Sequence, residues 1–415
     1  MLIEFTIGNF KSFRDKTTFS MIAANLTSDD PALDRDNVIP IKKDLRLLKS
    51  AAVYGANASG KSNLGVALRF MRQFVLNSAR EAVTITELGL EPFLLDRETR
   101  QQPSFFEVVF LMDSIQHRYG FEIDKSHVVS EWLFHVPKTK EVSLFVREGQ
   151  EISVRTGFKE GKGLEMRTRP EALFLSVAAL FNGKSSGQIQ DWLDSLAVTT
   201  GLQDDDFRAH TLEQLNDPEL RRQIVGLIQD LDFGIDDLLV HKEQIYTTHY
   251  LRQPPAGVKD VVSMGVDTHA SQGTRKLIAM AGPLHSVLAN GQTMFIDELD
   301  ARLHPLLTRR IIELFHSPLT NPKGAQLIFA THDTNLLDKS LFRRDQIWFA
   351  EKDQQGATHL ASLAEYRVRN DAAFEKNYLE GRYGAIPFLG GLTRLPWAQD
   401  EEVPEEIAGL EPAHA

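Results

Sequence analysis

The octapeptide Gly55-Ala56-Asn57-Ala58-Ser59-Gly60-Lys61-Ser62 constrains this chain more than any other stretch, because it has the spacing G-x-x-x-x-G-K-[ST]. The apolar run Ala51-Ala52-Val53-Tyr54 before it reads as the end of a buried strand, and the spacing after it predicts an amphipathic helix from Asn63 to about Val75. A plain glycine turn with a solvated lysine would need neither flank. Two glycines let the backbone turn tightly so that successive N–H groups face phosphate oxygens, and the helix adds the positive end of its dipole. Residues Gly55 to Asn63 are therefore expected to cradle a nucleoside triphosphate. Lys61 would sit against the β- and γ-phosphates, and the Ser62 hydroxyl would hold Mg²⁺.

A second strand signal, Thr293-Met294-Phe295-Ile296-Asp297-Glu298, ends in two carboxylates, as expected at the carboxyl edge of a parallel sheet. Asp297 would orient the metal opposite Ser62, and Glu298 would position and deprotonate an attacking water. A third strand, Gln326-Leu327-Ile328-Phe329-Ala330-Thr331-His332, delivers a histidine to the same edge as a γ-phosphate sensor. Before these lies Ala270-Ser271-Gln272-Gly273-Thr274-Arg275-Lys276-Leu277, in which Ser271 is a good helix N-cap and Gly273 permits close approach. It reads either as an ordinary capped helix or as a second anion site.

The remainder sets the frame for these motifs. Residues 93–155 hold five short β-prone runs with regular turns, which predict an antiparallel meander, and Leu2 to Gly8 predicts a first strand. Thr27 to Asn37 reads as a polar loop, residues 170–231 as three helical segments, and Gln253 to Gly257 as a loop. No apolar run is long enough to cross a bilayer, and the amino terminus lacks a signal pattern, so a soluble cytoplasmic protein without membrane contact is expected. The absence of cysteine removes disulfides, thiolate metal sites and cysteine nucleophiles. A net charge of −11 argues against a protein that coats nucleic acid, although Lys42-Lys43, Arg309-Arg310 and Arg343-Arg344 could line a local DNA groove.

The order of phosphate loop, long insertion, Ser-x-Gly turn, Asp-Glu strand, Leu299-Asp300 and strand-borne His resembles the ABC-class ATPases, in the branch of RecF, the chromosome-maintenance ATPases and the OLD proteins. Ile7-Gly8-Asn9-Phe10-Lys11-Ser12-Phe13 and Tyr378-Leu379-Glu380-Gly381-Arg382-Tyr383-Gly384-Ala385 are similar to AAA-type ATP-binding proteins that accompany RloB-like or TOPRIM effectors in bacterial defence loci. The resemblance implies an α/β fold: a P-loop ABC-class ATPase core with a β-meander lobe and an inserted helical subdomain. It divides the chain into residues 1–92 and 258–390 as the core, 93–169 as the β-rich lobe, 170–257 as the helical insertion and 391–415 as an acidic tail.

It further implies that Ser271, Gly273 and Thr274 bind ATP held by a second copy in a head-to-tail dimer. Asp300 would support the facing site, and His332 would contact the γ-phosphate. The Ala-Ser-Gln-Gly-Thr turn departs from the transporter form, so a transporter subunit is not expected. Gln101 and Gln102 match the glutamine-containing lid loop only weakly. No nuclease carboxylate set follows His332, which implies that any cutting belongs to a separately encoded effector protein. The expected function is that of a Mg²⁺-dependent ATPase switch regulating an anti-phage effector. The alternatives are a RecF-like DNA repair ATPase and an ATP-locked scaffold that holds an effector.

Overall fold

The computed structural model describes residues 1–80, 85, 87–200, 205–231, 234–251, 260–367 and 373–387. In chain order its elements are β1 (Leu2–Gly8), β2 (Thr17–Ser20), α1 (Pro31–Asp36), β3 (Val38–Lys42), β4 (Leu45–Leu48), β5 (Ser50–Tyr54) and α2 (Lys61–Asn77). There follow β6 (Ser104–Met112), β7 (Ile115–Ile123), β8 (Val128–Val136), β9 (Val142–Glu148), β10 (Glu151–Val154), α3 (Phe174–Leu180), α4 (Lys184–Asp194), β11 (Ala197–Thr200), α5 (Asp205–Gln214) and α6 (Pro218–Leu231). The last part holds β12 (Asp237–His241), β13 (Gln244–Tyr250), β14 (Val261–Gly265), α7 (Val266–His269), α8 (Gln272–Asn290), β15 (Thr293–Asp297), α9 (Pro305–His316), β16 (Gln326–Ala330), β17 (Ile347–Lys352), β18 (Thr358–Ser362) and α10 (Phe374–Leu379).

Two sheets organise these elements. One is antiparallel, in the order β10-β9-β8-β7-β6-β1-β2. The other runs β11-β15-β16-β5-β17-β18 and is parallel except for β18. Every residue of β5, β15 and β16 is buried, as strands covered on both faces must be, and this explains their nearly unbroken apolar sequences. α2 lies between the sheets, packing Leu64, Phe70 and Phe74 with Phe10, Phe106 and Phe121 on one side and with Phe295 and Ile328 on the other. A methyl group at Gly65 would run into the Phe295 ring, so the helix can approach β15 only without a side chain there. Helices α8 and α9 cover the opposite face through Leu277, Met280, Leu284, Ile311 and Phe315.

A buried amide ties the two sheets together. Gln326 Oε1 accepts from Leu2 N at 2.6 Å and from Thr293 Oγ1 at 3.0 Å, while its Nε2 donates to Leu2 O at 3.0 Å and Leu48 O at 3.2 Å. Nearby, the His316 ring lies 2.7 Å from Ser50 Oγ, and burial, helped by Lys49, pushes its pKa down to about 3. Because the unfolded chain takes up this proton near pH 6.5 and the native state refuses it, the contribution to stability is complete above that pH and lost as pH falls. Between pH 6.5 and 5 the loss should reach about 2 kcal/mol. Urea unfolding at pH 7 and pH 5 should show this loss in the native protein and a smaller one in His316→Gln; equal losses would exclude His316 as the cause.

Several expectations need correction. Residues Pro31–Asp36 form a helix within the expected polar loop, because Asp30 accepts from Ala32 N and Pro31 is pre-set for the first turn. The antiparallel sheet crosses the expected boundary at residue 93, since β1 pairs with β6. Residues 170–257 are not helical throughout. β11 joins the parallel sheet beside β15, and β12 and β13 pair with β14. A strand of four residues is too short to reveal its period. The expected loop at 253–257 and tail at 391–415 lie outside the described residues.

The basic doublets are partly tied up within the fold. Arg343 is buried and bonded to Asp345 and Asp34. Arg309 is held by Glu313 and Asp338, and Arg310 lies 3.5 Å from Glu313, whereas Lys42 and Lys43 stay exposed. No described helix is long and apolar enough to cross a membrane.

Candidate functional site

The phosphate loop joins the carboxyl end of β5 to α2, which begins at Lys61 rather than Asn63. Gly60 adopts φ 103°, and a methyl group there would strike Thr358 and Ser12 Oγ; at Gly55 it would strike Ala350 O and Ser59 Oγ. Both glycines are thus required by space, and Gly60 also by conformation. Lys61 Nζ donates to Gly55 O at 2.7 Å and Ala56 O at 3.0 Å, curling over the loop. Burial lowers its pKa, opposed by the charges of Asp297, Glu298 and Asp300. Asn57, Ala58 and Ser62 are exposed, while Ser59 Oγ is buried without a hydrogen-bond partner among the described residues.

The loop is held from behind by residues distant in sequence. Ser12 Oγ accepts from Asn63 Nδ2 at 2.7 Å, and Thr358 Oγ1 lies 2.8 Å from Ser12 Oγ and 2.7 Å from Ser59 O. Asn63, expected to touch nucleotide, is therefore engaged in bracing Ser12. Asn9 has φ 47° and organises the neighbouring segment, donating to Thr99 O at 2.7 Å and Gln102 O at 2.8 Å and accepting from Phe93 N at 3.0 Å. A cavity of about 280 Å³, lined by Lys11, Ser12, Asn63, Phe93, Leu95 and Gly356, opens beside the loop.

The acidic strand end completes the site. Asp297 is buried at the end of β15, and its Oδ1, like Asp300 Oδ1, has no hydrogen-bond partner among the described residues. A buried carboxylate oxygen without a donor is costly, and carboxylate and hydroxyl oxygens are the ligand type a hard divalent cation takes. Glu298 adopts φ 53°, a conformation that strains a non-glycine residue and turns the chain sharply away from the strand. His332 follows β16, still open to solvent. Partial burial, then the charge of Lys61, lowers its pKa, whereas Asp300, Glu298 and Asp297 oppose this. Lys61, Asp297, Glu298, Asp300 and His332 thus converge in electrostatic reach at one sheet edge.

Ser271, Gly273 and Thr274 form the capped start of α8. Ser271 caps α8, its Oγ accepting from Thr274 N at 3.1 Å and lying 2.9 Å from Thr274 Oγ1. Ser271 and Gln272 are exposed, and among the described residues no hydrogen bond joins the turn to the phosphate loop. Gly273 faces the loop after Glu298, for a methyl group there would sit 2.7 Å from Arg302 O. Sequence reasoning missed Thr358 and Lys276. Lys276, 1% exposed, donates to Glu298 O at 3.1 Å, Leu299 O at 3.1 Å and Ala301 O at 2.7 Å. Its signal was a lysine on the buried side of an apolar helix, where an unbonded ammonium would not be tolerated.

Residues 50–338 match the family model described as "AAA domain, putative AbiEii toxin, Type IV TA system". No curated protein matches the chain. Among solved structures, it is similar to the SMC head domain from Thermotoga maritima, at 14% identity and TM-score 0.42 over 87% of this chain and 98% of that one. It is also similar to the Smc head domain with a coiled coil and joint derived from Pyrococcus yayanosii, at 13% identity and TM-score 0.43 over 92% of this chain and 99% of that one.

Proposed function

Because the chain belongs to this AAA-domain family, matched from residue 50 to residue 338, we propose that it is a Mg²⁺-dependent ATPase switch that regulates a separately encoded defence effector. The observation that carries the reading is the meeting of Lys61, Asp297, Glu298 and His332 at one sheet edge, with Ser271 exposed to solvent. The loop from Gly55 to Ser62 binds the phosphates through its N–H groups and Lys61. Ser62 and Asp297 would hold Mg²⁺, which supplies charge neutralisation at the β- and γ-phosphates when bound. Glu298 orients the attacking water and takes its proton, and His332, kept neutral, donates a hydrogen bond toward the γ-phosphate.

The Ser271–Thr274 turn is an ATP ligand without an ATP site of its own, so it serves the ATP of a second copy. Two such copies close over two nucleotides, and hydrolysis opens them. The family description names a toxin of a type IV toxin–antitoxin system, which favours a two-protein module over a solitary repair enzyme. The internal pairing of Arg343 and Arg309 points the same way, since it takes one arginine of each doublet out of any DNA groove.

The test is the native mass of Glu298→Gln protein with and without Mg²⁺-ATP, alone and with its genomic neighbours co-expressed. A doubling of mass with ATP, and a co-purifying effector, is the expected result. An unchanged mass would favour a constitutive scaffold, and hydrolysis stimulated by DNA ends without any partner would favour a repair ATPase.

A further inference from the structure

The loop from Glu298 to Arg302 is bent by two non-glycine residues in the left-handed region, Glu298 at φ 53° and Arg302 at φ 65°. Such a bend persists only where surroundings over-determine it. Leu299 N bonds to Ala330 O at 3.1 Å, which fixes one side of the loop to the end of β16. The other side rests on the first turn of α8 at two points. Lys276, almost wholly buried, donates to the carbonyl oxygens of Glu298, Leu299 and Ala301. Two residues after Ser271, Gly273 packs its bare α-carbon against Arg302 O. The exposed Ser271 turn and the backbone of Glu298 are therefore parts of one rigid piece.

We infer that Lys276 is a positioning residue for hydrolysis: it holds the strained backbone of Glu298 and transmits to it any displacement of the Ser271–Gly273 turn. The inference rests on Glu298 being the general base. Ligand contact at Ser271 shifts the start of α8, Lys276 moves with it, and the three carbonyls follow. A subunit whose Ser271 turn engages its neighbour's ATP thereby adjusts Glu298 in its own site, so the two sites of a dimer fire together. The carbonyl dipoles of the loop need a fixed cation, and a thioether of similar shape would fill the space without ordering them.

The test compares full-length Lys276→Met, Lys276→Arg, Glu298→Gln and the Lys276→Met/Glu298→Gln double variant, by single-turnover hydrolysis and by ATP affinity. Lys276→Met is expected to lower the hydrolysis rate at least 30-fold with ATP affinity within threefold of the native protein. The double variant should be no slower than Glu298→Gln, because a residue that acts only through Glu298 has nothing left to position. A native rate in Lys276→Met, or a double variant slowed by the product of the two effects, overturns the inference while the base assignment stands. A native rate in Glu298→Gln overturns the base assignment and the inference with it. If Lys276→Met does not fold, Lys276→Arg decides: a rate at least tenfold reduced at unchanged affinity supports positioning, because a planar guanidinium cannot meet the three carbonyls together. A native rate in Lys276→Arg reduces Lys276 to a structural cation.

Discussion

Glu298→Gln should retain ATP and lose hydrolysis by about 10²–10⁴-fold, the usual worth of a positioned general base. The side chain stands half-buried where β15 ends, near Lys61 and His332, and is more open to a water than the buried Asp297. Asp297 is buried and Asp300 lies beyond the bend, so neither replaces it as the group that takes a proton. The amide keeps the size and one acceptor oxygen, which preserves the loop and the water site while removing basicity. Affinity is expected within threefold of native by titration calorimetry, and the rate is read from single turnovers. Brisk hydrolysis in this variant would sink the assignment.

Lys61→Ala should instead remove ATP binding, weakening it by about 100-fold or more, the worth of roughly one strong charged hydrogen bond and a neighbouring charge contact. Its ammonium is buried and bonded to Gly55 O and Ala56 O, so the positive charge already sits inside the loop where phosphate oxygens would lie. The truncation leaves those carbonyls, and the carboxylates of Asp297 and Glu298, without their cation. The fold should survive, because Ser12, Asn63 and Thr358 brace the loop independently of Lys61. Calorimetry with ATP, beside a melting temperature within a few degrees of native, separates lost binding from lost structure. Binding at native affinity would remove Lys61 from the site.

The parts of this site that could be read from sequence are those whose chemistry is local. Gly55 to Ser62 carries its meaning in eight consecutive residues, and Asp297-Glu298 follows an apolar run long enough to mark a buried strand. Thr358 was invisible because its role depends on β18 folding back beside β17 and meeting Ser12 from the far end of the chain. Arg343 was read as a possible lining of a DNA groove for the same reason: one of its partners, Asp345, is close in sequence, but Asp34 is not. Lys276 shows the limit differently. Its neighbours Leu277, Ile278 and Met280 gave a helix, yet nothing local says that the lysine faces three carbonyls of a loop formed after the helix has ended. The helix α1 was within reach, since Asp30-Pro31 is a helix start, but a polar stretch with few apolar residues hid it.

The strand order has a consequence for how the protein is made. β5, which leads into the phosphate loop, lies in the middle of its sheet, yet both its neighbours come late: Ser50 faces Leu327, and Ala52 faces Ile347. On a ribosome adding about 5–20 residues per second, β5 would wait on the order of 15–55 s for its partners. During that time a largely apolar strand has two open edges, a state that invites mispairing with other chains. The antiparallel meander, whose strands pair in order of synthesis, can form early and shelter α2. Nascent chains halted before residue 326 should therefore hold a folded meander without nucleotide affinity, and ATP can act as a folding ligand only once synthesis has passed β17.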